Sequence, residues 1–357
     1  MTQNKKIIRV GVIGCGSIAK FRHLPELEFH PQVEIVAVCD ANEERASKIA
    51  RLYKTIFYIN YQDLLNDTNI DAVIICLPHH LHSKVTIEAA KLGKHILCEK
   101  PIATNLEEAK EMIAMAKKNN VQLMIGHNQR FVPSHIKAKK ILETGDLGKV
   151  TSFKSSFGHS GPENWSVEGK NNFYFNDELI PFGVIGDLAI HKIDLIHHLL
   201  NEPIIHVSAM SETFQKPTKH EDTSILLART QSGVIGTITA SWTYATQENA
   251  TVLYCEKGVI RMEEGGEFPL VVQYHNKNAE YYKYPDILMY EKKEKTRSGV
   301  VFSFINSLLD GTDVPVNGYS GYFALSVVLA ALEAEKTQSI VDVSTIMEEK
   351  YALSNNK

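Results

Sequence analysis

Ile7-Ile8-Arg9-Val10-Gly11-Val12-Ile13-Gly14-Cys15-Gly16-Ser17-Ile18-Ala19 is an apolar strand running straight into a glycine-rich turn. Gly14, Gly16 and Ala19 stand at the spacing G-x-G-x-x-A, and a second apolar run, Val33-Glu34-Ile35-Val36-Ala37-Val38-Cys39, ends in Asp40. This is the pattern that holds a dinucleotide. Gly14 permits the tight turn, Gly16 lets backbone approach a pyrophosphate, and small Ala19 lets helix and strand pack closely. The helix beginning near Gly16 aims free N–H groups and its positive dipole end at the phosphates. A carboxylate about 20 residues further on accepts the ribose hydroxyls, the role that falls to Asp40.

The bulk properties narrow the class. A chain of 357 residues exceeds one ordinary core and points to two domains. The formal charge is only −4. Long basic runs are lacking, as is any apolar stretch of ~18 residues, so neither nucleic acid nor a membrane is an expected partner. The first residues, Met1 to Lys6, lack the apolar core of a signal peptide. Five cysteines, without a C-x-x-C pair, are expected to be reduced thiols in a cytoplasmic protein, with no metal or disulfide role.

Up to about residue 127 strands and helices alternate. Helices are expected over Glu43–Tyr53, Ser83–Leu92 with a stop at Gly93, and Leu106–Lys118. Strands are expected at Ala72–Leu77, His95–Cys98 and Gln122–Gly126. The almost wholly apolar strands fit a sheet covered on both faces, and the repetition implies a doubly wound parallel sheet. Beyond a helix at Pro133–Thr144 the rhythm changes to period-two segments: Val150–Phe157, Ile204–Met210, Thr223–Arg229, Val234–Ser241, Ala250–Tyr254, Val259–Met262 and Leu270–Tyr274. They read as a large, mainly antiparallel sheet, with helices near Ile185–Leu200 and Tyr322–Lys336. The expected fold is α/β. An N-terminal Rossmann domain, residues 1–127, precedes an α+β domain, residues 128–357, that carries the open sheet, substrate binding and oligomer contacts.

Three further groups bear chemistry. Cys98-Glu99-Lys100-Pro101 closes a parallel strand at the edge where open α/β sheets bind ligands. Lys100 there is a candidate for the reacting centre, the alternative being a surface lysine paired with Glu99. Asp187 and His191 are four residues apart and share one helical face. Histidine suits a general base, and a neighbouring Asp orients it or holds the adjacent hydroxyl. The alternative is that Asp187 caps the helix and His191 merely packs, with Asp194 as a structural partner. Pro78-His79-His80-Leu81-His82 invites a metal reading but lacks a completing carboxylate or Cys. A loop over the cofactor, shaped by Pro78, is favoured. Gly158 to Trp165 either lines a sugar site, with Trp165 as an aromatic face, or is a surface loop.

Taken together these segments, with Asn128-Gln129-Arg130-Phe131-Val132-Pro133, resemble the glucose–fructose oxidoreductase / inositol dehydrogenase / rhizopine-catabolism (Gfo/Idh/MocA) family of NAD(P)-dependent oxidoreductases. The resemblance covers residues 7 to about 200. It implies that Lys100 and Asp187 hold a reacting hydroxyl while His191 takes its proton. It also implies a cofactor site made of Gly14, Gly16, Ser17, Ile18, Ala19, Asp40, Pro78, His82, Glu99, Lys100 and Asn128, and substrate contacts from Arg130, Trp165, Asp187 and His191. Asp40 favours NAD, because a carboxylate repels a 2′-phosphate; Arg45 nearby keeps NADP open. The implied activity is hydride transfer between NAD and a secondary hydroxyl of a sugar, sugar phosphate or cyclitol, in a homodimer or homotetramer. An NAD-dependent glycoside hydrolase of the same family and a non-catalytic sensor of NAD or sugar are the alternatives. Where relatives carry a glycine-rich stretch, this chain has Pro181-Phe182-Gly183-Val184-Ile185-Gly186, which should stiffen or narrow the substrate side.

Overall fold

A computed structural model describes residues 6–177, 179–284 and 298–347. The chain divides into two compact units, each assembled from several stretches: Met1–Phe131, Glu163–Phe173 and Asp286–Tyr322 in the first, Val132–Pro162, Tyr174–Pro285 and Phe323–Lys357 in the second.

In the first unit six strands, β1 (Ile8–Ile13), β2 (Val33–Cys39), β3 (Ile56–Tyr58), β4 (Ala72–Ile75), β5 (His95–Cys98) and β6 (Leu123–Ile125), form one sheet in the order β3-β2-β1-β4-β5-β6. Every pair in it is parallel. The strand order reverses between β1 and β4, the topological switch point at which such sheets bind ligands. All four residues of β4 are buried, as a strand covered on both faces requires. The crossovers carry α1 (Leu24–Phe29), α2 (Glu43–Tyr53), α3 (Tyr61–Asn66), α4 (His82–Lys91) and α5 (Leu106–Lys118). Local caps set their ends: Asn42 accepts the Arg45 N–H, Asn105 accepts the Glu108 N–H, and Gly93 takes φ +72° after α4.

No element is anticipated from sequence between residues 274 and 322, yet a strand (Glu280–Tyr282) and a helix (Val300–Asp310) lie there. At its start Ser298 Oγ accepts the Val300 N–H at 3.3 Å. Buried Glu26 reaches the same turn from far away in sequence, accepting from the Ser298 and Val301 N–H groups. The stretch that follows closes on β6: Ile125 N–H donates to Val316 O at 2.8 Å.

The second unit opens with α6 (Pro133–Thr144), which Gly145 ends at φ +76°. Its sheet comprises β7 (Val150–Gly158), β8 (Ile204–Glu212), β9 (Thr223–Thr230), β10 (Ile235–Ser241), β11 (Thr251–Cys255), β12 (Gly258–Met262), β13 (Leu270–Tyr274), β14 (Glu280–Tyr282) and β15 (Val341–Asp342). The order is β14-β13-β12-β11-β7-β10-β9-β8-β15. Only β7 and β10 pair in parallel; the rest are antiparallel. β9 alternates strictly: Leu226, Ala228 and Thr230 turn inward, Ile225, Leu227 and Arg229 outward. α7 (Ile190–Leu200) packs on the inner face against β7 and α6.

Candidate active site

The glycine turn does what its spacing predicts. Gly14 takes φ +91°, and a Cβ there would lie 2.3 Å from the Cys76 carbonyl oxygen. Only glycine fits. At Gly16 a Cβ would meet nothing within 4 Å, so the backbone faces open space. The helix begins at once, with Lys20 N–H donating to Gly16 O at 2.9 Å, and Ala19 is fully buried. Ile18 is half-buried beside it. The first turn, Ala19–His23, is π-helical, a form often found at functional sites.

Asp40 stands at the end of β2 with its carboxylate turned onto this turn. Oδ2 accepts the Cys15 N–H at 2.9 Å and Oδ1 the Asn42 N–H at 2.8 Å. Arg45 Nε lies 3.2 Å from Oδ2. A segment that follows β7 in sequence, Glu163–Phe173, belongs spatially to the first unit. Val167 N–H donates to Ser17 Oγ at 2.8 Å, and Ser17 Oγ lies 3.3 Å from Trp165 O.

The loop after β4 starts at Pro78, whose carbonyl accepts the Leu81 N–H at 3.0 Å. His79 is buried edge-on to Phe173, ring centroids 5.2 Å apart. The ring nitrogens of His82 face two backbone carbonyls, Leu77 O at 2.8 Å and Pro101 O at 2.7 Å. His82 thereby ties this loop to the turn carrying Lys100. The three histidines do not assemble a metal cage: among the described residues no group of three or more His, Cys, Asp or Glu could hold an ion.

Glu99 is buried 2.7 Å from His23 Nε2. Burial alone would push its carboxyl up, but the hydrogen bond and charge of His23, with Arg22 and Lys100 nearby, hold it down at about 2. A Cβ at Gly126 would sit 3.0 Å from that carboxylate. Glu99 is thus no surface residue. Glu99 is an interior anchor, and the half-buried Lys100 donates its backbone N–H to Glu99 Oε2 at 3.2 Å. One strand on, Asn128 is 1% exposed, and neither atom of its amide makes a hydrogen bond among the described residues. A buried amide left so costs free energy unless a ligand completes it. Arg130 directs Nη1 to Pro315 O at 3.5 Å.

In the second unit, Asp187 and His191 lie on one continuous helical run, a π-helical turn (Ile185–Ala189) leading into α7. Both are buried. Asp187 does not cap this helix. Glu221 does, its Oε1 accepting the Gly183 N–H at 2.9 Å and the Ile185 N–H at 3.0 Å. Asp187 Oδ2 instead accepts the indole N–H of fully buried Trp242 at 2.9 Å. Tyr174 and Phe175 pack edge-on against that indole, with centroids 5.9 and 6.3 Å away. His191 sits edge-on to Phe157 at 5.4 Å, and Asp194 is wholly buried. Phe182 is buried against Gly186, where a Cβ would fall 2.0 Å from its ring. At the departure from a glycine-rich stretch the Phe182 ring thus fills interior space beside Gly186.

Sequence reasoning passed over His23, Trp242, Glu221 and Glu168. Each acts through a partner remote in sequence, and no spacing rule announces such a pair. Three features of the first unit fit a dinucleotide: the open side of Gly16, the strand-terminal carboxylate of Asp40, and the unmet amide of Asn128.

Comparison with known proteins agrees. Residues 8–127 match the oxidoreductase family with NAD-binding Rossmann fold, and residues 135–261 match the GFO/IDH/MocA C-terminal domain. The chain is 31% identical over 239 residues to the uncharacterized oxidoreductase YrbE of Bacillus subtilis, covering 65% of this chain and 67% of that one. Identity to a levoglucosan dehydrogenase of Pseudarthrobacter phenanthrenivorans is 32% over 205 residues, 55% of this chain and about half (52%) of that relative. Identity to the myo-inositol 2-dehydrogenase of Thermotoga maritima is 27% over 357 residues, 94% of this chain and 99% of that one. The fold is shared with a solved levoglucosan dehydrogenase in complex with NADH and levoglucosan, with a TM-score of 0.84 at 24% identity over 95% of this chain and 100% of that chain. The chain belongs to the GFO/IDH/MocA family of oxidoreductases with an NAD-binding Rossmann fold.

Proposed function

We propose that this protein oxidises a secondary hydroxyl of a sugar, sugar phosphate or cyclitol, reversibly, with NAD as its coenzyme. The observation that carries the reading is that Lys100, Asp187 and His191 all stand intact in a chain of this family. NAD+, when bound, supplies the acceptor for the hydride. Gly14, Gly16, Ser17, Ile18 and Ala19 line its pyrophosphate, Asp40 takes the ribose hydroxyls, and Pro78, Glu99 and Asn128 serve its far end, with His82 bracing the loop. Lys100 and Asp187 hold the reacting hydroxyl, and His191 takes its proton as the C–O bond becomes a carbonyl. Trp242 supports the role given to Asp187, because a buried carboxylate with one oxygen engaged keeps a fixed orientation. Arg130 and Trp165 contribute to substrate binding.

A panel of sugars, their phosphates and cyclitols, incubated with NAD+ and followed by NADH absorbance, tests this directly. At least one member should yield NADH. Lys100→Met should lower turnover on it by about 10²–10⁴-fold, far more than it lowers NAD+ affinity. Glycoside cleavage without net NADH would replace the dehydrogenase by the hydrolase, and binding without turnover would leave a sensor.

The assembly we propose is a homodimer or homotetramer formed through the outer face of the large sheet. Met210, Ile225, Leu227 and Ile235 lie on that face, each at least half exposed, and an apolar strip of this kind on adjacent strands marks an interaction surface. Sedimentation showing only monomer across concentrations would refute it. Among the described residues no helix is long and apolar enough to cross a membrane. The free cysteines support a cytoplasmic location.

A further inference from the structure

Arg45 lies in the first turn of α2, five residues beyond the strand-terminal Asp40. An arginine near this point accommodates a 2′-phosphate in proteins that use NADP, so its environment decides what it can do. Here its guanidinium folds back between two carboxylates. Nε lies 3.2 Å from Asp40 Oδ2, and Nη1 lies 2.7 Å from Glu168 Oε1. Three charges thus sum to −1 at the edge of the ribose position rather than to zero or above.

Glu168 is held there by construction. Its segment is pinned to the glycine turn through Ser17, by the Val167 N–H at 2.8 Å and the Trp165 carbonyl at 3.3 Å. It is pinned again through the edge-on contact of Phe173 with His79. Between those anchors Glu168 N–H donates to Ser166 Oγ at 3.2 Å, closing a local turn that presents the carboxylate to Arg45. A half-exposed ion pair of this kind contributes little to stability. Its weight lies in engaging Nη1 of Arg45 and offsetting its charge.

We propose that Glu168 is a specificity-determining residue: by holding Arg45 against Asp40 it makes the site reject a coenzyme bearing a 2′-phosphate. The inference rests on the reading that the adenosine ribose lies at Asp40. Arg45 is a phosphate ligand held in reserve, and Glu168 keeps it so. The device is legible only in three dimensions, since Arg45 and Glu168 are 123 residues apart.

Calorimetric titration of the protein with NAD+ and with NADP+ tests it without reference to turnover. Wild type should prefer NAD+. Glu168→Gln keeps the shape and removes one negative charge. Beside a doubly charged phosphate this should raise NADP+ affinity relative to NAD+ by about tenfold, with a smaller gain at high salt. Adding Arg45→Ala to that variant should abolish the gain. An unchanged ratio in Glu168→Gln, or a gain that survives without Arg45, overturns the proposal. Asp40→Ala separates this from the underlying reading. If it leaves the NADP+/NAD+ ratio as in wild type, the ribose does not lie at Asp40 and the proposal falls with that reading. If it shifts the ratio while Glu168→Gln does not, the reading stands and Glu168 is a surface partner only.

Discussion

Gly14 and Gly16 look alike in sequence, yet the structure assigns them separable costs when each is changed to alanine. At Gly14 the new methyl would sit 2.3 Å from the Cys76 carbonyl oxygen and 2.8 Å from its carbon. Neither atom can swing aside, because Cys76 N–H is bonded to Ile13 O at 2.7 Å in the sheet. The positive φ costs an L-residue about 1–2 kcal/mol, and forcing extra volume into close-packed backbone costs about 1–3 kcal/mol more. The sum, about 3 kcal/mol, is a large part of the 5–15 kcal/mol typical of a folded protein, and should lower the melting temperature by roughly 10 °C. At Gly16 the methyl meets no protein atom within 4 Å, so Gly16→Ala should melt within a few degrees of wild type. If the pyrophosphate occupies that open side, the same methyl stands where a phosphate must approach, and NAD+ affinity should fall tenfold or more. Scanning calorimetry and NAD+ titration on both variants decide the matter. Wild-type NAD+ binding by Gly16→Ala would refute the assignment of that face to the coenzyme. Wild-type melting of Gly14→Ala would refute the steric account of the turn.

Two further outcomes follow from the second unit. Trp242→Phe removes the buried N–H donated to Asp187, a charge-assisted bond worth about 1.5–3 kcal/mol; kcat should fall at least tenfold with a smaller change in KM, and a variant that merely melts earlier while keeping kcat would reduce Trp242 to packing. Glu221 is pushed up to about 7 by burial, against the backbone N–H bonds it accepts from its own residue, Ile185 and Gly183, and with Glu335 adding to the rise. An acid raised in the folded state stabilises the fold below its unfolded pKa of about 4.3 and loses that contribution as pH climbs through 7. Glu221→Gln keeps an Oε1 for Gly183 and Ile185 and does not titrate, so its melting temperature should gain on wild type between pH 5 and pH 8; a constant offset would assign the titration elsewhere.

What could be read in the sequence was what is locally encoded. The bounds expected for Glu43–Tyr53, Leu106–Lys118, Pro133–Thr144 and Leu270–Tyr274 coincide with those in the structure, because their caps and periodicity lie within a few residues. Helix Val300–Asp310 escaped, its start being held by Glu26, 272 residues from Ser298, as well as by Ser298 itself. The parallel pairing of β7 with β10 escaped for a related reason: period-two segments give the faces of a strand but not its neighbours. Among candidate site residues, the glycines and Asp40 were legible because backbone conformation and strand position define them. The choice between orienting and capping roles for Asp187 was not, since Glu221, just before β9, takes the cap and Trp242, just after β10, holds the carboxylate.

The buried carboxylates show why those distant partners matter. An ionised carboxyl taken out of water must be given donors or it takes up a proton. Glu99 has an imidazole at 2.7 Å and the positive field of Arg22 and Lys100, so it stays ionised through the neutral range. Glu221 receives only neutral backbone N–H groups and faces another acid, so it titrates near 7. One residue type thus does opposite work in the two units. The strand end carrying Lys100 keeps a fixed negative anchor at any pH near neutrality, whereas the start of the helix carrying Asp187 and His191 rests on a group whose charge changes there. The pH-dependent difference between wild type and Glu221→Gln therefore belongs to the helix start, and His23→Gln, which weakens only the Glu99 anchor, should leave that difference in place.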